Sequence, residues 1–142
     1  MLGVVYAPAL DTLYAGRIGH GAIRWDPRHG DRPIRVRPRP AEGLTVVASR
    51  SHGDGAQLDT FLGRFSVRET IKRGSSLKFC SVASGDADLY PRFGPTYEWD
   101  TAAGHAVLEA AGGRVTTEDG APFRYNKPKL YNPGFVAYGW QE

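Results

Sequence analysis

The chain has 142 residues, 41% of them hydrophobic and 23% charged, with a formal net charge of +3 at neutral pH. That length suffices for one ordinary domain with a real core and is too short for two, and the balance is that of a folded chain rather than a disordered one. A single cysteine, Cys80, excludes an internal disulfide and a cysteine-based zinc site, and it suits a reducing compartment.

A strand pattern begins almost at once. Residues 2 to 25 read as three short strands, "LGVVYAP", "TLYAGR" and "GAIRW", with Asp11 in the first turn and Gly19, His20 and Gly21 in the second. A start in mid-sheet, without leading loop or helix, is expected where a preceding part of the sheet is missing. Residues 26 to 40, "DPRHGDRPIRVRPRP", carry five arginines (Arg28, Arg32, Arg35, Arg37, Arg39) and no aromatics that could stack on bases. The "PIRVRP" core alternates as an edge strand would, and Pro33, Pro38 and Pro40 keep it out of a sheet interior. A solvated edge that discourages aggregation is therefore expected here, with no nucleic-acid partner.

After Glu42 the pattern changes. "LTVVAS" is a continuous apolar strand of the kind buried on both faces. "GDGAQLDTFLGRF" places Leu58, Phe61, Leu62 and Phe65 at helical spacing. Then come the strand "SVRETI", the helix "SSLKFCSVASG", the strand "ADLYP", a helix after Asp100, and the strands "GRVTTED" and "GFVAYGW". Strands alternating with helices predict a layered α/β (α+β) domain over residues 42–142, preceded by an antiparallel hairpin region over residues 1–41. Cys80, between Leu77 and Phe79, is expected to be a buried, inert thiol. His105 faces Glu109 at i+4 and is expected to be structural.

In such sheets, ligands gather at strand ends and helix starts. Four polar clusters fall at these places: "SRSH" (49–52), "GSSLK" (74–78), "YPR" (90–92) and "WD" (99–100). Together they offer hydroxyls, lysine, arginine and one carboxylate, enough to hold a phosphate ester and one hard, oxygen-seeking cation such as Mg²⁺. The carboxylate, Asp100, is open to two readings, helix N-cap or metal ligand. The small residues of "DTAAGHA" suit close packing of that helix on a sheet and leave room for a ligand. The four histidines are scattered without a His-x-x-x-His pair, which argues against a His-rich metal site. No apolar run approaches the roughly 20 residues of a membrane span, and no leader pattern is present.

"WDTAAGHAVLEAAGG" closely resembles the second signature of the inositol monophosphatase superfamily, magnesium-dependent and lithium-sensitive phosphatases. "SRSH", "GSSLKFC", "DLYPRFGPT" and "LYNPGF" resemble its CysQ-type 3'(2'),5'-bisphosphate nucleotidase branch, from about residue 3 to 136. The resemblance implies the second half of the sugar-phosphatase-like fold, a mixed sheet flanked by helices. It implies a cytoplasmic phosphatase that converts adenosine 3',5'-bisphosphate to AMP and phosphate in sulfate assimilation. It also implies that Asp100 is an Mg²⁺ ligand, that Ser75, Lys78 and Arg92 contact the nucleotide's phosphate or ribose, and that His52 lies near the adenine or its sugar.

The family's upstream acidic segment of Asp-Pro-Ile/Leu-Asp-Gly-Thr type has no counterpart: the Asp26–Pro27 pair lacks the continuation. No catalytic residue can therefore be named from the sequence. The expectation is a chain inactive alone, which exposes a sheet edge through which it can form a homo-oligomer. An inositol monophosphatase-like phosphatase and a non-catalytic nucleotide-binding fragment are the alternatives.

Overall fold

A computed structural model describes residues 1–49 and 55–141. The first strands fold as expected: β1 (Leu2–Ala7), β2 (Thr12–Arg17), β3 (Gly21–Asp26) and β4 (Gly30–Ile34) form an antiparallel sheet in that order. Tight turns make this possible, with Asp11 in the left-handed region at φ 46° and Gly19 and Gly21 at 82° and 93°. Period-two alternation turns Gly3, Gly16 and Ala22 to one face, while Leu2, Val4 and Tyr6 project from the other, exposed to solvent.

The Arg-rich segment departs from its expected form. Its edge strand is β4, which ends at Ile34, and residues 35 to 40 leave the sheet. The reason is competition from elsewhere. The Val36 N–H donates to the Ala111 carbonyl, and the Arg37 guanidinium donates twice to Asp88, at 2.8 and 2.7 Å. Arg39 stacks its cation over Trp140 and Phe65. These arginines are clamps that carry the chain across to a second sheet.

That second sheet comprises β5 (Leu44–Ala48), β6 (Val67–Lys72), β7 (Leu89–Arg92), β9 (Arg114–Thr117) and β11 (Phe135–Tyr138), in the order β6-β5-β7-β11-β9. β5 runs parallel to β6 and β7, and β11 antiparallel to β7 and β9. A two-residue ladder joins β8 (Thr96–Tyr97) to β10 (Tyr131–Asn132). β5 is buried along its whole length because both faces are covered. Leu44 and Val46 meet Phe61 of α1 (Gly55–Leu62) on one side. Val47 meets Phe79 and Val82 of α2 (Leu77–Ala83) on the other, in a core that also takes Val107 and Leu108 of α3 (Glu98–Ala110).

Helices α2 and α3 thus lie between the two sheets. The small residues of α3 permit it. A Cβ on Gly3 would overlap the carbonyl oxygen of Ala103, and one on Gly104 would lie 2.6 Å from the Phe79 ring. β1 and α3, and α3 and α2, approach closer than any side chain would allow. Cys80 is fully buried in this layer, and burial pushes its thiol up to about 12, which makes it the inert thiol expected. Among the described residues no helix is long and apolar enough to cross a membrane.

Candidate active site

A cleft of about 230 Å³ opens where the start of α2, the end of β7 and the β8–α3 junction meet. Four of the five residues singled out in the sequence line it: Ser75, Lys78, Arg92 and Asp100. They are separated by up to 25 positions in the chain, and only the fold brings them together. His52 and its neighbour Arg50 lie outside the described residues. A larger hollow of about 600 Å³ sits at the opposite end of α3, by residues 110 to 112. Its lining is mostly apolar and contains no carboxylate, which makes the smaller cleft the candidate site.

Each side chain is held differently. Lys78 is buried in α2, where its ammonium donates to the Arg73 carbonyl at 3.3 Å and lies over the Tyr90 ring at 5.3 Å. Arg92, at the end of β7, spends one N–H on the Pro95 carbonyl at 3.4 Å, while its buried Nε has no partner among the described residues. A guanidinium with unspent donors at a cleft suits an anionic oxygen acceptor. Ser75 holds a left-handed backbone conformation, φ 54°, just ahead of α2, a costly geometry for a residue with a Cβ.

Asp100 requires a correction. It is not the N-cap of its helix. The helix begins two residues earlier, because the β8–β10 ladder holds Tyr97 extended and Glu98 already turns helical. Asp100 is the third helical residue, and its Oδ2 reaches back to accept the Tyr97 N–H at 2.8 Å, the returning half of a capping box. Its other oxygen has no partner among the described residues and is available at the cleft.

Behind the cleft lies a polar network that sequence reasoning missed. Glu98 accepts the N–H groups of Asn126 and Lys127, both at 2.9 Å, and pairs with the Lys127 ammonium at 2.7 Å. The hydrogen bond from Lys127 is the main reason its carboxyl sits below the usual range. Lys127 also donates to Asn132, which donates to the hydroxyls of Thr96 and Thr101 in the cleft wall. The only sequence signal was "LYNPGF", which marks residue 132 without saying what it touches. His105 has the structural role expected, bonded to Glu109 at 2.8 Å and to Tyr125 at 2.7 Å. Burial pushes the Tyr125 hydroxyl up to about 12.

Among the described residues no three His, Cys, Asp or Glu side chains converge to hold a metal ion. Asp100 fits as one oxygen ligand of a hard cation, but the described residues do not complete a shell. A buried lysine, an arginine with spare donors, hydroxyls and one carboxylate around a small cleft form an arrangement able to hold an anionic oxygen acceptor.

Residues 1–138 match the inositol monophosphatase family, and the chain belongs to it. It is 47% identical over 136 residues to the 3'(2'),5'-bisphosphate nucleotidase CysQ of Shigella flexneri, covering 95% of this chain and 53% of that protein. The CysQ of Escherichia coli strain K12 matches to the same extent. The chain thus spans about half the length of these curated relatives. Among solved structures, CysQ from Bacteroides thetaiotaomicron superposes with a TM-score of 0.87 at 34% identity, over 100% of this chain and 59% of that one. An inositol monophosphatase from Anabaena gives 0.77 at 28% identity, over 98% and 54%.

Proposed function

We propose that this chain forms the phosphate-holding side of a 3'(2'),5'-bisphosphate nucleotidase site, which cleaves adenosine 3',5'-bisphosphate to AMP and phosphate. The observation that carries this is the convergence of Lys78, Arg92 and Asp100, from three separate elements, on one small polar cleft. The nucleotidase names of relatives at 47% identity favour this substrate over inositol phosphates. A cytoplasmic role in sulfate assimilation belongs to the same proposal.

In this reading Lys78 and Arg92 neutralise and orient the phosphoryl group, with Ser75 contributing a hydroxyl, and His52 lies towards the nucleoside. Asp100 uses one oxygen to hold the start of α3 and the other to bind Mg²⁺. Mg²⁺, when bound, supplies a Lewis acid and a water more acidic than bulk water. The described residues offer one carboxylate to this centre, so the chain by itself binds nucleotide and turns it over poorly. That same observation favours the second reading, a non-catalytic nucleotide-binding chain.

Calorimetric titration of adenosine 3',5'-bisphosphate into the full chain, paired with a phosphate-release assay, tests the proposal. Lys78→Met, which keeps the buried stem and removes the charge, is expected to weaken binding by about 10- to 100-fold, the worth of a hydrogen bond to a charged group. Equal affinity in wild type and variant would remove Lys78 from the site. Robust turnover by the chain alone would show that one carboxylate is enough.

We also propose that a second copy pairs with this chain along the open edge of β1. That strand carries no charge, and Leu2, Val4 and Tyr6 beside the edge are 65%, 50% and 51% exposed, so nothing on it opposes pairing. Antiparallel pairing of β1 with itself would bring the two copies of Val4 close together. Sedimentation equilibrium is expected to show concentration-dependent association, and Val4→Lys to shift it towards monomer. A monomer at all concentrations would refute the pairing.

A further inference from the structure

The network behind the cleft has a direction. Lys127 has only protons to give, so the Asn132 atom 3.1 Å from its ammonium is the amide oxygen. The Asn132 amide nitrogen then faces the other way and donates to both Thr96 Oγ1 and Thr101 Oγ1, each at 3.1 Å. Asn132 is 2% exposed, and Glu98 fixes the Lys127 end of the chain at 2.7 Å, so the amide has no room or reason to flip. Both threonine oxygens are therefore acceptors, and each hydroxyl proton must point elsewhere. Thr101 gives its proton to the Glu98 carbonyl at 3.2 Å. Thr96 has no acceptor for its proton among the described residues, and it lines the cleft with Lys78, Arg92 and Asp100.

We propose that Thr96 donates its hydroxyl proton to a phosphoryl oxygen of the ligand, and that Asn132 is the positioning residue that forces that proton into the cleft. With the amide reversed, the Thr96 hydroxyl would give its proton to the Asn132 oxygen and present only lone pairs to an anion, a repulsive contact. With the amide as it stands, a neutral hydroxyl of the cleft becomes an obligatory donor beside the two cations. A donor of fixed direction discriminates a phosphate, which can only accept when fully ionised, from a neutral ligand hydroxyl, which can serve either role. The inference rests on the phosphate-ester reading of the site.

A double-mutant cycle on the full chain tests it, with adenosine 3',5'-bisphosphate as the titrated probe and melting temperature followed in parallel. Thr96→Val is expected to weaken binding about tenfold, and Thr96→Ser to stay within about twofold of wild type because the hydroxyl survives. Asn132→Asp reverses the polarity, so that Thr96 must donate to the protein, and is expected to weaken binding about tenfold as well. In a Thr96→Val background the same Asp substitution is expected to cost about twofold or less, because there is no proton left to redirect. A merely structural Asn132, or a simple effect of the added negative charge, would give the same penalty in both backgrounds and overturn the proposal. Thr96→Val binding as tightly as wild type, or Thr96→Ser losing as much as Thr96→Val, would overturn it too. Should Thr96→Val fail to fold, Thr96→Ala, which leaves space for water at the Asn132 donor, carries the same expectation. A wild-type chain that does not bind the probe refutes the site reading and this inference with it; a wild type that binds, with indifferent Thr96 variants, refutes this inference alone.

Discussion

Asp100→Asn is expected to leave the chain folded while removing the strengthening of nucleotide binding by Mg²⁺. The asparagine oxygen can still accept the Tyr97 N–H, so the start of α3 survives; what is lost there is a favourable charge near a helix N-terminus, at most about 1 kcal/mol. The cation loses its charged protein ligand from this chain. Titrations with and without Mg²⁺ should differ for wild type and coincide for the variant. Turnover can be read in a hybrid where this chain replaces the segment it matches in the Escherichia coli relative. There the loss should reach about a hundredfold or more, since charge stabilisation by such an ion is worth several kcal/mol and each 1.4 kcal/mol is a factor of ten. Normal Mg²⁺ dependence in the variant would return Asp100 to a capping role only.

Asp100 also shows where sequence reasoning succeeds and where it stops. The residue stands out because a carboxylate precedes a run of alanine and glycine, and the closeness of α3 to both β1 and α2 follows from those small side chains. Its position in the helix did not follow, because Tyr97 is held extended by Tyr131, 34 residues later, across a ladder only two residues long. Such a ladder has no periodicity to detect. The alternating strands β1 to β3 and the doubly buried β5 were legible for the opposite reason: their burial pattern is local and repeats along the strand. Lys78 and Arg92 could be named as candidates by type and motif, but their convergence depends on α2 packing against β7. The Glu98–Lys127–Asn132 chain was illegible because it is tied at both ends by contacts 29 and 31 residues apart, Glu98 to Lys127 and Asn132 to Thr101, through groups that look like ordinary loop polarity.

The Arg-rich segment was read as solvated, and Arg37 is the residue that defeats that reading. Its partner Asp88 is 1% exposed and accepts three hydrogen bonds: two from the Arg37 fork, and one from the Thr45 N–H at 2.8 Å. The Asp88 main chain ties in β5 and the C-terminal segment, since its N–H donates to the Thr45 carbonyl and its carbonyl accepts the Gly139 N–H, each at 2.8 Å. The bond to Asp88 is the leading cause that raises the Arg37 guanidinium above its ordinary pKa. Arg37→Ala would strand a buried carboxylate with one backbone donor, and breaking such a pair from one side costs about 3–5 kcal/mol. The expected fall in melting temperature is on the order of 10 °C, and urea unfolding should show a lower midpoint with an unchanged slope. Arg37→Lys should rescue little, because a point charge cannot make the two parallel bonds of the fork. High salt should weaken the pair only in part, since Asp88 is buried although the Arg37 side chain is 40% exposed. A loss below about 1 kcal/mol would place the pair among ordinary surface ion pairs, and the crossing of residues 35 to 40 would then be held by the Val36 bond to Ala111 and the stacking of Arg39 instead.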